Sequence, residues 1–147
     1  MFLKNKMNKT ITVEVVISAP IKVVWDLWNT PSHIMVWMHA SDDWECSRAV
    51  NELKVNGRFS YTLGAKDKSV SFDLSGTYTK VDEEKFIAYT LDDGRTVTVS
   101  FVLEKEGVRI SETFEMEHEN SEELQRSGWQ SILNNFKAYT QQNRARM

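Results

Sequence analysis

From Trp44 to Met116 apolar and polar residues alternate with a period of two. The alternation runs in short segments ended by Asn56-Gly57, Ala65-Lys-Asp-Lys68, Asp82-Glu-Glu84, Asp92-Asp-Gly94 and Glu106-Gly107. A period of two sends successive side chains to opposite faces of a strand, and connections this short join antiparallel neighbours. The segmentation predicts six strands. One face is apolar: Phe59, Tyr61 and Leu63, then Phe72, Leu74 and Tyr78, then Ile87, Tyr89 and Leu91. Val97, Val99, Phe101 and Leu103, followed by Val108, Ile110, Phe114 and Met116, continue it. Arg58, Ser60, Ser71, Asp73 and Thr77 take the other face. A sheet apolar on one side needs a cover on that side.

The remaining segments supply that cover. Thr10 to Ile17 is rich in β-branched residues and reads as a further strand. Pro20 suits a helix start, with Ile21, Val24, Trp25 and Trp28 on one helical face. Asn29-Thr-Pro31 opens a second short helix that ends near Trp37. Asn120 with Glu123 reads as a capping box for a helix to about Gln142, whose stripe is Leu124, Trp129, Ile132, Leu133, Phe136 and Tyr139. The expectation is one α+β domain over residues 10–142: a curved antiparallel seven-stranded sheet wrapped around a long C-terminal helix, with two short helices after the first strand. Trp129, Ile132, Leu133 and Phe136 are expected to face Phe72, Leu74, Val99 and Phe101. Residues 1–9 read as a flexible extension and 143–147 as a tail.

Composition narrows the function. With 41% apolar and 11% aromatic residues the chain has ample core material. A net charge of −3 without a concentrated basic face argues against nucleic acid as a partner. No apolar run approaches the roughly 20 residues of a membrane span, so no membrane insertion is expected. Cys46 is the only cysteine, which excludes an intrachain disulfide and suits the cytoplasm. His33 and His39 are six apart and match no ligand spacing, so no metal is expected. Neither a nucleophilic triad nor a Gly-rich phosphate loop can be assembled, so no catalytic residue or cofactor is assigned. The sequence leaves the oligomeric state unassigned.

Glu112 is the most informative polar residue. The alternation Val108, Ile110, Glu112, Phe114, Met116 sets a carboxylate on the apolar face. A buried carboxylate is costly unless paired or protonated. It can anchor a ligand's amine or hydroxyl, or act as an acid or base. A strand bulge, or pairing with Arg95, Arg109 or a Tyr hydroxyl, would instead make it structural. Gly128, inside the long helix, marks close packing or a needed gap. The run Glu112 to Glu123 holds six acids and no Lys or Arg, and reads as a solvated rim or a docking face for a basic partner.

Particular residues resemble the START-like (SRPBCC) helix-grip superfamily, in the branch of the activators of the heat-shock-protein-ninety ATPase. They are Ser18-Ala-Pro20 with Val24-Trp25, Asn29-Thr-Pro31 with Trp37, and Asn56-Gly57-Arg58-Phe59. Gly76-Thr-Tyr78, Asp93-Gly-Arg95, Glu112-Thr-Phe114, and Gly128-Trp129 with Ile132-Leu133 and Asn135-Phe136 complete the set. Where many relatives carry two consecutive glycines, this chain has Asn56-Gly57, which leaves the turn geometry open. The resemblance implies a cavity between the long helix and the sheet, used across the superfamily for apolar molecules. The resulting expectation is binding of a small apolar, aromatic or lipid-like molecule by Trp37, Tyr61, Phe72, Tyr89, Phe101, Glu112, Trp129 and Leu133. The alternatives are a polyketide cyclase or dehydratase using Glu112 with Tyr61, Tyr89 or His39, and a chaperone-linked module that docks a protein partner.

Overall fold

The computed structural model describes residues 9–143. Most of the expected extension and tail lies outside the described residues. Strand β1 (Thr10–Ile17) leads into α1 (Ile21–Asn29) and α2 (Pro31–Trp37). Six strands follow, β2 (Trp44–Asn51), β3 (Arg58–Ala65), β4 (Ser71–Asp82), β5 (Phe86–Leu91), β6 (Thr96–Glu104) and β7 (Gly107–Glu115), and then the long helix α3 (Glu122–Asn143). Hairpins keep β2 to β7 in chain order, and β1 closes on β7, giving an antiparallel sheet ordered β1-β7-β6-β5-β4-β3-β2. The α+β helix-grip architecture read from the sequence is the one observed.

Thr30 makes the elbow between the short helices. Its N–H and hydroxyl both donate to the Asp26 carbonyl, at 3.0 and 2.6 Å, ending α1. Its own carbonyl accepts from His33 and Ile34, opening α2. The Trp37 indole N–H donates to the Leu27 carbonyl at 3.0 Å and ties the two helices together. Pro20 precedes α1 as its cap instead of lying in its first turn. At the start of α3 the cap is Ser121, whose hydroxyl accepts from the Leu124 N–H at 3.1 Å. Asn120, the expected cap, is held instead by Glu117.

Edge strand β1 fixes the path of α3. Arg126 donates to the Thr12 carbonyl and Gln130 to the Glu14 carbonyl, each at 3.1 Å, while Gln141 accepts from the Ser18 N–H at 2.9 Å. These side chains occupy backbone groups that an open edge would offer to another chain. Lys9 adds an ion pair to Glu122 at 2.7 Å.

Because α3 follows β1, its ring partners differ from those expected, while Leu74 still shares a cavity lining with Trp129, Ile132 and Leu133. Trp129 stacks on Phe114 with ring centroids 3.9 Å apart and planes 9° from parallel. Phe136 meets Trp37 and Trp28 edge-on, at 4.7 and 4.9 Å, and is fully buried. Phe101 packs edge-on against Trp25 and Trp28. Phe72 and Leu103 stand beyond the cover, 50% and 69% exposed. Among the described residues no helix is long and apolar enough to cross a membrane.

Two stability outcomes follow. Phe136→Ala is expected to cost about 3–5 kcal/mol in urea unfolding, and a loss below ~1 kcal/mol would remove Phe136 from the core. Gly128 marks no close approach, since a Cβ there meets nothing within 4 Å. Gly128→Ala is therefore expected to stabilise by about 0.5–1 kcal/mol, read as a raised denaturation midpoint.

Candidate functional site

The site begins with two glycines that let backbone and ring approach closely. Asn56 takes the left-handed conformation in the β2–β3 turn, with φ of 71°, a state asparagine tolerates. Gly57 follows where a Cβ would fall 2.1 Å from the Glu52 carbonyl oxygen. The asparagine thus supplies the left-handed turn residue, while the position after it has no room for a side chain. Gly76 on β4 leaves space for the Phe59 ring, which a Cβ there would meet at 2.9 Å.

Seated over Gly76, Phe59 organises the inner aromatics of β3, β4 and β5. It stacks on Tyr61 at 5.1 Å, meets Tyr89 edge-on at 4.8 Å and lies 5.3 Å from Tyr78. The Tyr78 hydroxyl donates to Asn51 Oδ1, and Asn51 Nδ2 donates to the Asn29 carbonyl at 2.8 Å. This chain of bonds joins the sheet aromatics to the helical elbow.

These rings form one wall of a cavity of about 70 Å³. Trp129, Ile132 and Leu133 of α3 form its roof, Trp28, Trp37 and Met38 of the elbow one side, and Glu112 reaches in from β7. Of the eight residues expected there, Trp37, Tyr61, Tyr89, Glu112, Trp129 and Leu133 line it. Phe101 does not, because the elbow tryptophans cover it. Phe72 does not either: it lines a separate groove of about 220 Å³ with Trp44, Leu63 and His39. Met38 and Ile132 line both spaces and divide them. The sequence reading missed Trp28 and Ile132 as lining residues because helical stripes mark core and cavity walls alike.

Glu112 is in register with Val13 of β1 and Val99 of β6, with no bulge in either pairing. Only 7% of it is exposed. Neither arginine reaches it: Arg109 pairs with Glu104 and Glu14, and Arg95 with Asp93. Among the described residues no hydrogen bond engages its carboxylate. Burial pushes its pKa from 4.5 to about 8. Burial, and secondarily the nearby Glu112, also hold the Tyr89 hydroxyl well above its usual range. Burial raises Tyr61 likewise, and Tyr78 to about 12.

Other candidates lie elsewhere. His39 lines the outer groove, away from Glu112, and its carbonyl accepts from Asn135. The acidic run is largely engaged locally: Glu115 accepts from Thr96, Glu117 from residues 119 and 120, and Glu122 pairs with Lys9 and Arg126. Among the described residues no cluster of three or more His, Cys, Asp and Glu could hold a metal ion.

The raised carboxyl makes stability depend on pH. Unfolded Glu112 ionises near 4.5 and folded Glu112 near 8, so between these values the native state holds a proton that the unfolded state has lost. Its contribution is therefore complete below about pH 4.5 and is lost as pH rises through 8. Glu112→Gln is expected to match the parent near pH 4.5 and exceed it by roughly 4–5 kcal/mol at pH 8.5. Urea unfolding at both pH values checks this, and equal pH dependence in the two proteins would contradict it.

Residues 18–141 match the family described as Activator of Hsp90 ATPase homolog 1-like protein. The AHSA1-like protein from Aeromonas hydrophila is 40% identical, with 91% of this chain and 93% of that one covered and a TM-score of 0.86. A protein from Cytophaga hutchinsonii is 45% identical, with 92% and 93% covered and a TM-score of 0.76. A protein from Chromobacterium violaceum shares the fold at 20% identity, with 90% and 98% covered and a TM-score of 0.81. No curated protein matches the chain.

Proposed function

The chain belongs to the Activator of Hsp90 ATPase homolog 1-like family, and from that premise we propose that it binds a small apolar or aromatic molecule between α3 and the sheet. The observation that carries this reading is an aromatic-walled cavity containing one buried carboxylate that is unpaired among the described residues. Apolar walls supply the burial energy, and few polar atoms orient the ligand. Trp37, Tyr61, Tyr89, Trp129 and Leu133 make the apolar contacts, and Glu112 makes the polar one. We place this activity in the cytoplasm, in keeping with a single buried thiol and no disulfide.

The cavity is small. Its volume of about 70 Å³ falls below the roughly 300–1,000 Å³ typical of ligand pockets. A larger ligand therefore has to displace Met38 and Ile132, the divider, and extend into the neighbouring groove. Both side chains can change rotamer without breaking a hydrogen bond.

Glu112 also supports a second reading, a proton-transferring enzyme acting on polyketide-like substrates. A carboxyl with a pKa of about 8 beside Tyr89 suits general acid–base work near neutrality. Turnover abolished in Glu112→Gln would favour it, and binding without turnover favours the carrier. A protein-docking role has less support, because much of the acidic rim is engaged with the chain's own residues.

Leu133→Trp tests the site by filling it. The parent is expected to bind members of a panel of flavonoids, aromatic polyketides and a fluorescent fatty acid, read by calorimetry. The variant should bind at least about tenfold more weakly. Equal binding by both would place the ligand elsewhere, and no binding by either would overturn the proposal.

A further inference from the structure

Among the described residues lining the cavity, Glu112 is the only acidic side chain, and no Lys, Arg or His accompanies it. The charge and the aromatic walls together are selective. A ligand carboxylate, including that of a fatty acid, would face another carboxyl with no cation to offset it. A neutral alcohol or ketone gains one hydrogen bond and leaves the acid uncharged. An ammonium group gains most: it can pair with the ionised carboxylate, donate up to three hydrogen bonds, and lie among the electron-rich rings of Trp129, Trp28 and Tyr89. The space of about 70 Å³ suits a small amine head with a short apolar body.

We propose that the ligand is a small organic amine, bound as its ammonium ion to the Glu112 carboxylate with its apolar part against the aromatic walls. This rests on the binding reading above and narrows it to one chemical class. The Tyr61, Tyr78 and Tyr89 hydroxyls complete the polar surroundings, and α3 and the elbow contribute only non-ionising side chains to the cavity. Val13 and Val99 flank Glu112 in the sheet. Glu112 is thus the cavity group that titrates below pH 9, since the three hydroxyls are all held above their usual range.

Binding an ammonium ion ionises Glu112, and the released proton passes to solvent. Below the carboxyl's own pKa of about 8, affinity then rises about tenfold per pH unit, and it levels between pH 8 and 10. A neutral ligand shows no such rise.

The test compares n-butylamine, 1-butanol and butyrate, three probes of nearly equal size, by NMR titration of the full chain at pH 6, 7 and 8.5. The expected result is n-butylamine at least tenfold tighter than 1-butanol at pH 8.5, butyrate weakest, and the amine's affinity climbing with pH. Calorimetry in buffers of different ionisation enthalpy should register close to one proton released per amine bound at pH 6. Glu112→Gln, checked for cooperative unfolding, should lose the preference of amine over alcohol. If the alcohol or butyrate equals the amine at pH 8.5, or the glutamine variant keeps the preference there, the amine assignment is overturned and the binding reading stands. If none of the three binds while the aromatic panel does, the amine assignment again falls alone. If the panel fails as well, both readings fall.

Discussion

One helix cannot cover a seven-stranded sheet, and the rest of the molecule is arranged around that shortfall. Strands spaced about 4.8 Å apart make the sheet nearly 30 Å wide, while a helix with its side chains is about 10 Å across. Helix α3 therefore covers a strip. It takes the β1 and β7 side, where Trp129 stacks on Phe114 and two of its polar side chains hold carbonyls of the β1 edge. The elbow of α1 and α2 covers Phe101 on β6 and reaches across to β2, tied to α3 by Phe136 between Trp28 and Trp37. The inner face of β3 to β5 is left between them, and there the aromatic rings meet a cavity instead of a packed helix.

Into that gap the chain places a residue that works against its own stability. A leucine or methionine at Glu112 would satisfy the apolar face, whereas the carboxyl has to be buried unpaired or protonated. Most other charges avoid this cost: Arg58 with Asp92, and Arg109 with Glu104 and Glu14, settle their partners on the outer face, where water helps to solvate them. Among the described residues, this contrast between a well-paired exterior and one unpaired interior acid is what makes Glu112 the candidate site group.

Much of this was legible beforehand. Period-two patterning and the turn residues marked every strand from β2 to β7, and the same alternation put Glu112 on the inner face. Phe72 and Phe101 show where the reasoning stops. Both do point to the inner side of the sheet, yet one is half exposed at its margin and the other lies under the elbow. Alternation assigns a side chain to a face, and it carries no information about what lies opposite. The sequence could not choose between close packing and a gap at Gly128 for a related reason: a glycine's rarity in helices is local knowledge, while the empty space that excludes close packing belongs to the packed structure.

The sequence by itself determined the element order, the antiparallel pairing, the apolar face and the presence of one acid upon it. Each of these depends on neighbours within a few residues: side-chain period, turn chemistry and helix signals are local. Only the tertiary structure decided that α3 follows β1, that the elbow holds Phe101 and Phe136, and that neither Arg95 nor Arg109 reaches Glu112. Those outcomes depend on which surfaces pack together, in places across more than a hundred residues of chain, as Arg126 meets Thr12. Contacts of that range are settled by the shape of the whole packed interior, because each surface is buried only if every other one finds its place.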